Sequence, residues 1–198
     1  MMPAAAKQIT HADILPLPDY VKVRKERRSA VVALKKNRRL PVGPHATFYF
    51  ENFDTMLSQI QEMLYIEKGG DEQLEDELSA YNPLIPQGRE LVATVMFEID
   101  DEVRRRRVLS TLGGIEHQMF IKIGGETVKG VAEDDLDRTT ADGKASSVQF
   151  VHFPFTEAQI TAFRKPDAEV VLGFSHENYP HMTVMPDAVR EALAKDFD

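Results

Sequence analysis

The chain has 198 residues, of which 42% are hydrophobic and 28% charged, and this balance excludes collagen-like, low-complexity and membrane-spanning proteins. It contains no cysteine, which excludes disulfides, thiolate zinc sites, a cysteine nucleophile and an iron–sulfur cluster held by cysteine. The net charge of -8 disfavours non-specific binding of nucleic acid or of anionic membranes. Neither a signal peptide nor a membrane span is recognisable, so we expect a cytoplasmic protein.

Positive charge is concentrated in the first predicted helix, over residues 19–38, which follows a loose tail over residues 1–17. Nine bases and one acid, Glu26, lie between positions 22 and 39; this stretch carries +8, which leaves -16 for the rest of the -8 chain. The apolar residues of this helix form a narrow stripe, so most of its bases should face water; the stripe consists of Val21, Ala30, Val31 and Leu34. The bases that we expect to bind a protein partner or phosphate are Arg24, Arg27, Arg28, Lys35, Lys36 and Arg38.

This basic helix has three interpretations. An acidic protein surface would pair with it by charge complementarity. Phosphate or nucleic acid would use the same charges, but no interleaved aromatic residues and no known reader motif accompany the bases, so nucleic acid is the weaker interpretation. The acidic residues between positions 67 and 77 offer a third partner, within the chain itself.

Residues 18–86 are predicted to be mainly helical, with a short extended run at residues 45–50. A second helix begins after the capping residue Asn52 and ends at Lys68, before two glycines, and an acidic third helix covers residues 71–81. The junction before the second helix is a candidate pocket because it combines aromatic, acidic and amide side chains, although helix capping and aromatic packing explain the same residues. Its candidate residues are Tyr49, Glu51, Asn52 and Asp54.

Residues 89–198 are predicted to be β-rich. The apolar run at 90–99 is typical of a central strand that is covered on both faces. A two-glycine turn at Gly124 and Gly125 predicts a hairpin in which Ile121 lies opposite Val128. The other predicted elements are a short helix after the acids at 100–102, a polar loop over 134–144, strands over 147–153, 169–174 and 182–185, and helices starting at Thr156 and Pro186.

The order of these elements, helices first and then strands with short helices between them, predicts an α+β fold. The N-terminal helices should pack on a mostly antiparallel sheet. No long Gly-, Ser- or Pro-rich linker divides the chain, so we expect a single domain over residues 1–198.

Three histidines late in the chain, His152, His176 and His181, form a candidate metal site. His152 and His176 follow the alternation of their strands, so they lie on one side of a sheet if those strands are neighbours. His181 would then complete a zinc-type site with an open position. The spacing matches no established ligand signature, and hydrogen-bonded structural histidines are the competing interpretation. We therefore expect no cofactor, and a divalent metal ion bound by these histidines is the alternative.

Several segments resemble a bacterial family catalogued as a domain of unknown function (3501), and the resemblance covers nearly the whole chain. The segments that carry it are ALKKNRR (33–39), GPHATFYFEN (43–52), QEMLYIEKG (61–69), YNPLIP (81–86), MFEID (96–100) and FVHFPF (150–155). The family has no assigned activity, catalytic residue or cofactor. Genes of this family lie near genes for rubrerythrin-like and iron–sulfur oxidoreductase proteins. The resemblance therefore implies that this chain functions in a redox system.

The resemblance and the composition together predict an accessory role. Because a chain without cysteine cannot hold an iron–sulfur cluster through thiolates, it would act beside such a protein in assembly or docking. We therefore expect a non-enzymatic accessory protein whose basic helix binds a protein partner of a redox system. A metal-binding protein or metal-dependent enzyme, and a phosphate or nucleic-acid binder, are the alternatives.

Overall fold

The computed structural model describes residues 7–133, 139–141 and 143–198 and has an α+β fold. Residues 1–6 of the predicted tail, and residues 134–138 and 142 of the predicted polar loop, lie outside the described residues. The helices are α1 (Leu17–Lys35), α2 (Phe53–Glu67), α3 (Gly70–Tyr81), α4 (Glu102–Leu109), α5 (Glu157–Phe163) and α6 (Asp187–Leu193).

The boundaries of α2 and α5 follow from local capping chemistry. Asn52 accepts a hydrogen bond from the backbone N–H of Thr55 at 3.0 Å, as the prediction of an N-cap requires. Lys68 ends α2 in the left-handed conformation, with φ of 58°. Thr156 and Gln159 form the reciprocal capping box predicted at the start of α5. The structure thus confirms these predictions. They could be made from the sequence because each contact joins residues within one helical turn.

The strands of the described residues form two antiparallel sheets. They are β1 (Arg39–Val42), β2 (Ala46–Phe50), β3 (Glu90–Phe97), β4 (Met119–Ile123), β5 (Glu126–Lys129), β6 (Val131–Ala132), β7 (Val148–Pro154), β8 (Val170–Phe174) and β9 (Met182–Val184). Sheet A has the order β1-β2-β3-β7-β6 and sheet B the order β5-β4-β8-β9. The predicted hairpin is confirmed in register, with Ile121 opposite Val128 and Ile123 opposite Glu126.

The chain passes from sheet B to sheet A at Gly130. β5 pairs with β4 on one side of this glycine, and β6 pairs with β7 on the other. A Cβ atom at Gly130 would lie 2.6 Å from Cγ2 of Val151, closer than packed side chains allow. Glycine therefore permits the close approach of the backbone to Val151 at the point where the chain passes between the two sheets.

β1 begins directly after the turn that follows α1, in a stretch where the sequence predicts no strand. Pro41 lies within β1, which is the edge strand of sheet A. An edge strand tolerates proline because one of its sides needs no ladder hydrogen bonds. Because β1 already begins at Arg39, α1 ends at Lys35, before the predicted end at residue 38.

Two hydrophobic cores share sheet A. The larger core lies between the sheets and includes Phe48, Phe153 and Phe174. The smaller core lies between sheet A and the helices α2 and α3, and it includes Ile60 and Val92. The central strand β3 contributes to both cores, so the prediction of a strand covered on both faces is confirmed.

The prediction of a loose tail over residues 1–17 is wrong for the described part of that segment, residues 7–17. Ile9 is 1% exposed and belongs to the smaller core. Its backbone N–H donates to Oδ1 of Asn82 at 2.7 Å, and Nδ2 of Asn82 donates to the carbonyl of Ile9 at 3.0 Å. The segment is held by a distant side chain, a contact that local sequence patterns do not encode.

Candidate functional site

α1 is a long helix with little buried surface. Tyr20 is the single fully buried residue among its 19, all of which are described. The sequence predicts an inward stripe that includes Val21, but Val21 is 53% exposed and Tyr20 takes the inward position. Six bases and two acids give the helix a net charge of +4. Three of the six bases, Lys22, Lys25 and Arg28, are exposed.

Arg24 attaches α1 to α2 through a bidentate contact. Its Nε and Nη2 atoms donate to the two carboxylate oxygens of Glu62, each at 2.8 Å. The guanidinium carbon lies 4.1 Å from the ring centroid of Tyr65, and the hydroxyl of Tyr20 also donates to Glu62. The hydrogen bonds from Arg24 hold the pKa of Glu62 below its usual value. This fork-and-ring arrangement is the chemistry by which arginine binds carboxylates in protein interfaces.

Beside this contact, α1 and Tyr65 of α2 line an open cleft of about 570 Å³. We call its α1 side chains the basic face; they are Val21, Arg24, Lys25, Arg28, Ser29 and Val32. Val32 is 69% exposed, and Ile66 of α2 next to Tyr65 is 64% exposed. The basic face thus combines exposed apolar groups with positive charge on one side of a helix.

Several bases of the region have no carboxylate partner within 4.0 Å among the described residues. They are Lys25, Arg27, Lys35 and Lys36, whereas Arg28 lies at the 4.0 Å limit from Glu62. The acidic stretch at residues 67–77, expected as an intramolecular partner, forms none of the ion pairs of α1; Glu62 takes that role. The charge of the helix is therefore largely available to another molecule.

Arg38, predicted to bind a partner or phosphate, is instead buried, with a side chain that is 3% exposed. It forms an ion pair with Asp196, and it donates to the backbone carbonyls of Phe50 and Glu51, each at 2.9 Å. All of these partners belong to its own chain. The prediction was wrong because the chain turns inward after α1, so the periodicity of the exposed helix no longer applies at Arg38.

The four candidate pocket residues do not line one common pocket. The hydroxyl of Tyr49 donates to Glu98 at 2.7 Å, while the buried carboxylate of Glu51 accepts from Thr94 at 2.8 Å. Asn52 is occupied in capping α2, and it shares with Asp54 a cleft of about 380 Å³. The competing interpretation of helix capping is confirmed for Asn52.

The three candidate metal ligands do not converge. His152 lies on β7 in sheet A, whereas His176 follows β8 in sheet B, so the strands are not neighbours. His176 contacts the carbonyl of Gly113 at 3.2 Å, and the ring of His181 lies 4.5 Å from that of Tyr179. Among the residues that the structure describes, no group of three or more His, Cys, Asp or Glu side chains is placed to hold a metal ion. The predicted three-histidine site is therefore not formed.

His152 has two carboxylate neighbours instead. Its Nδ1 lies 3.0 Å from Glu90 of β3, and its Nε2 lies 3.6 Å from Glu133, which follows β6. The hydrogen bond with Glu90 raises the pKa of His152 above its usual value, although burial opposes the rise; Glu133 adds to it. With a carboxylate at each ring nitrogen, the imidazole is arranged as an ion-pair partner rather than as a metal ligand.

Comparison with known proteins identifies the family. The model of the family described as "Protein of unknown function (DUF3501)" matches residues 8–197. The chain belongs to this family. Its fold is similar to the crystal structure, at 1.90 Å resolution, of a protein of unknown function from Burkholderia pseudomallei K96243. The TM-score is 0.89 at 35% identity, over 96% of this chain and 100% of that chain. No curated protein matches the sequence.

For this member of the DUF3501 family, the structure adds residues to the predicted binding helix. Val21, Lys25, Val32 and Tyr65 were not among the predicted binding residues, yet they line the same cleft as Arg24 and Arg28. Positions 21, 25, 28 and 32 share a helix face by their spacing of three or four, so periodicity contained the signal for three of them. The part of the chain that is described has no helix of the length and apolarity that a bilayer span requires.

Proposed function

We propose that this protein is a non-enzymatic accessory protein that docks an acidic helical segment of a partner protein on the basic face of α1. The observation that carries this proposal is the exposure of that face. The exposed bases Lys25 and Arg28 lie together with apolar side chains along a helix that buries one residue fully, and Lys25 has no carboxylate partner among the described residues. Electrostatic complementarity of this kind accelerates association and orients the partner.

A protein partner is favoured over nucleic acid by the composition of the face. Val21 and Val32 are exposed on either side of Lys25 and Arg28, so apolar groups flank a basic pair along one stripe. An amphipathic helix with carboxylates beside apolar residues matches both kinds of contact. Nucleic acid would gain from the charges but would leave the valines without apolar partners.

The class of partner is suggested by the family resemblance, which implies that the gene lies near genes for iron–sulfur and rubrerythrin-type proteins. A docking subunit needs no redox group of its own, which is consistent with a chain that has no cysteine. We propose that the acidic segment belongs to such a redox protein. The alternative of a metal enzyme at His152, His176 and His181 has no support from their positions.

The proposal is tested with a synthetic, fluorescein-labelled helical peptide that carries glutamates along one face and leucines along the other. Fluorescence anisotropy should show binding that weakens as salt is raised, because the contact is largely electrostatic. The double variant Lys25→Glu/Arg28→Glu should bind about tenfold more weakly or worse, since two attractive contacts become repulsive.

The matched control is Arg106→Glu/Arg107→Glu, which reverses two exposed bases on α4, away from the basic face. This control should retain nearly all of the wild-type affinity apart from the general effect of net charge. Equal loss in both double variants would mean that the peptide responds to overall charge, and the docking proposal would be wrong. Tighter binding of a single-stranded oligonucleotide than of the peptide would favour the nucleic-acid alternative.

A further inference from the structure

The acidic helix α3 is the electrostatic complement of α1. α3 contains five acids and no base, whereas α1 carries a net charge of +4. Glu72 and Asp76 are exposed and lie four residues apart, so they share one face of α3. No ion pair within 4.0 Å is formed by either carboxylate among the described residues, while Glu75 pairs with His11.

α2 lies between these two charged helices. On one flank it contacts α1 through Glu62 and Tyr65, and on the other Gln59 and Glu67 contact residues of α3. Both neighbours run antiparallel to α2. Tyr20 near the start of α1 contacts Glu62, whereas Leu34 near its end lines a cleft with Asp54 at the start of α2. On the other flank, Gln73 near the start of α3 contacts Glu67, and Tyr81 at its end contacts Gln59. α1 and α3 therefore run in the same direction, and charge changes from positive to negative across the layer of three helices.

We propose that a second copy of this chain docks on the helical layer, with its α3 against the basic face of α1. A two-fold axis that runs parallel to α2 places each α1 opposite the α3 of the other copy, so both contacts form at once in a closed dimer. This inference rests on the proposed function, in which the basic face binds a partner protein. It adds that a second copy of the chain can occupy the same face and so regulate binding of the partner. The dimer covers the face that a partner must reach, so partner and second copy compete.

The charges select this orientation among others. Copies with a net charge of -8 repel one another, and an orientation that places α3 against α3 adds to the repulsion. The two-fold arrangement instead faces Lys25 and Arg28 with Glu72 and Asp76. It also brings the exposed Ile66 of each α2 toward its counterpart near the axis. A contact of this composition is weak and sensitive to salt, as a competitive, exchangeable interface requires.

The test uses the full chain in sedimentation equilibrium at low and at high salt. The wild type should dimerise at low salt and dissociate at high salt. Lys25→Glu/Arg28→Glu and Glu72→Lys/Asp76→Lys should each be monomeric alone, with dimer dissociation constants raised at least about tenfold. An equimolar mixture of the two variants should form a heterodimer, because the acids introduced at positions 25 and 28 of one copy then face the bases introduced at positions 72 and 76 of the other.

All four positions are exposed, so circular dichroism should show that both variants keep the wild-type fold. A wild type that is monomeric at low salt, a dimer that is insensitive to either charge reversal, or a mixture that stays monomeric would each overturn the inference. None of these results alters peptide binding to the monomer, so the proposed function is judged separately by the anisotropy measurement. If both hold, the peptide should dissociate the dimer.

Discussion

At the scale of single residues, His152 of β7 lies between β3 and β6 and contacts a carboxylate on each side. It is paired with Val92 of β3 and with Val131 of β6 in the sheet register, and its ring lies between Glu90 and Glu133. Because its pKa is raised in the folded protein, the protonated ring stabilises the fold. That stabilisation is fully present below the unfolded pKa of about 6.5 and is lost as the pH rises through the folded pKa.

We therefore expect His152→Gln to lower the free energy of unfolding by about 1.5–3 kcal/mol near pH 6 and by clearly less near pH 9. Urea denaturation of both proteins at the two pH values measures this difference. The control His11→Gln removes an exposed ion pair with Glu75 and should cost about 1 kcal/mol or less at either pH. An equal loss at both pH values for His152→Gln would show that the protonated ring contributes nothing.

Residues with local partners were predictable, and residues with distant partners were not. Asn52 and Thr156 cap helices through contacts three residues away, so the sequence pattern is sufficient. The buried ion pair of Arg38 joins residues 158 positions apart. The sequence predicts His152 as a metal ligand, with a hydrogen-bonded structural role as the competing interpretation. Its carboxylate partners, Glu90 and Glu133, come from segments whose adjacency the sequence does not specify.

At the scale of elements, the strand that continues through Gly130 decides how the sheets meet. Its backbone N–H donates to the carbonyl of Met119 at 2.8 Å, and the absent side chain leaves room for Val151. A methyl group at this position must push the two sheets apart. The hairpin of β4 and β5 is local and was predicted in register, whereas the passage to β7 depends on this single close approach.

Gly130→Ala should accordingly lower the free energy of unfolding by about 1–3 kcal/mol, the usual cost of overpacking a close contact. The neighbouring control Lys129→Ala changes an exposed side chain and should shift stability by no more than about 0.5 kcal/mol. Midpoints of urea denaturation for the two variants provide the comparison. Equal midpoints would mean that the sheets tolerate a side chain at the bend.

At the scale of the whole molecule, Arg38 joins the turn after α1 to the last turn of the chain. Its guanidinium pairs with Asp196, whose side chain is 7% exposed, and burial raises the pKa of that carboxyl despite the opposing charge of Arg38. Removal of the arginine leaves a buried carboxyl and two backbone carbonyls without their donor. Such losses are among the most destabilising that single substitutions cause.

Arg38→Ala should therefore destabilise the protein by about 3–5 kcal/mol. Arg39→Ala, next in the chain, removes an exposed guanidinium that lies 5.2 Å from the ring of Tyr49 and should cost about 1 kcal/mol or less. Thermal and urea denaturation of the two variants measure the contrast. Comparable losses would contradict the assignment of Arg38 as a structural residue.

The sequence by itself determined the α+β class, the helices with their caps, the central strand, the hairpin register and the exposure of a basic helix. Each follows from periodicity, turn chemistry or composition over a short stretch of chain. The tertiary structure alone decided that the strands form two sheets, that His152, His176 and His181 stay apart, that Arg38 is buried, and that α1 and α3 flank α2. These depend on which distant segments become neighbours, and packing of the whole chain selects them.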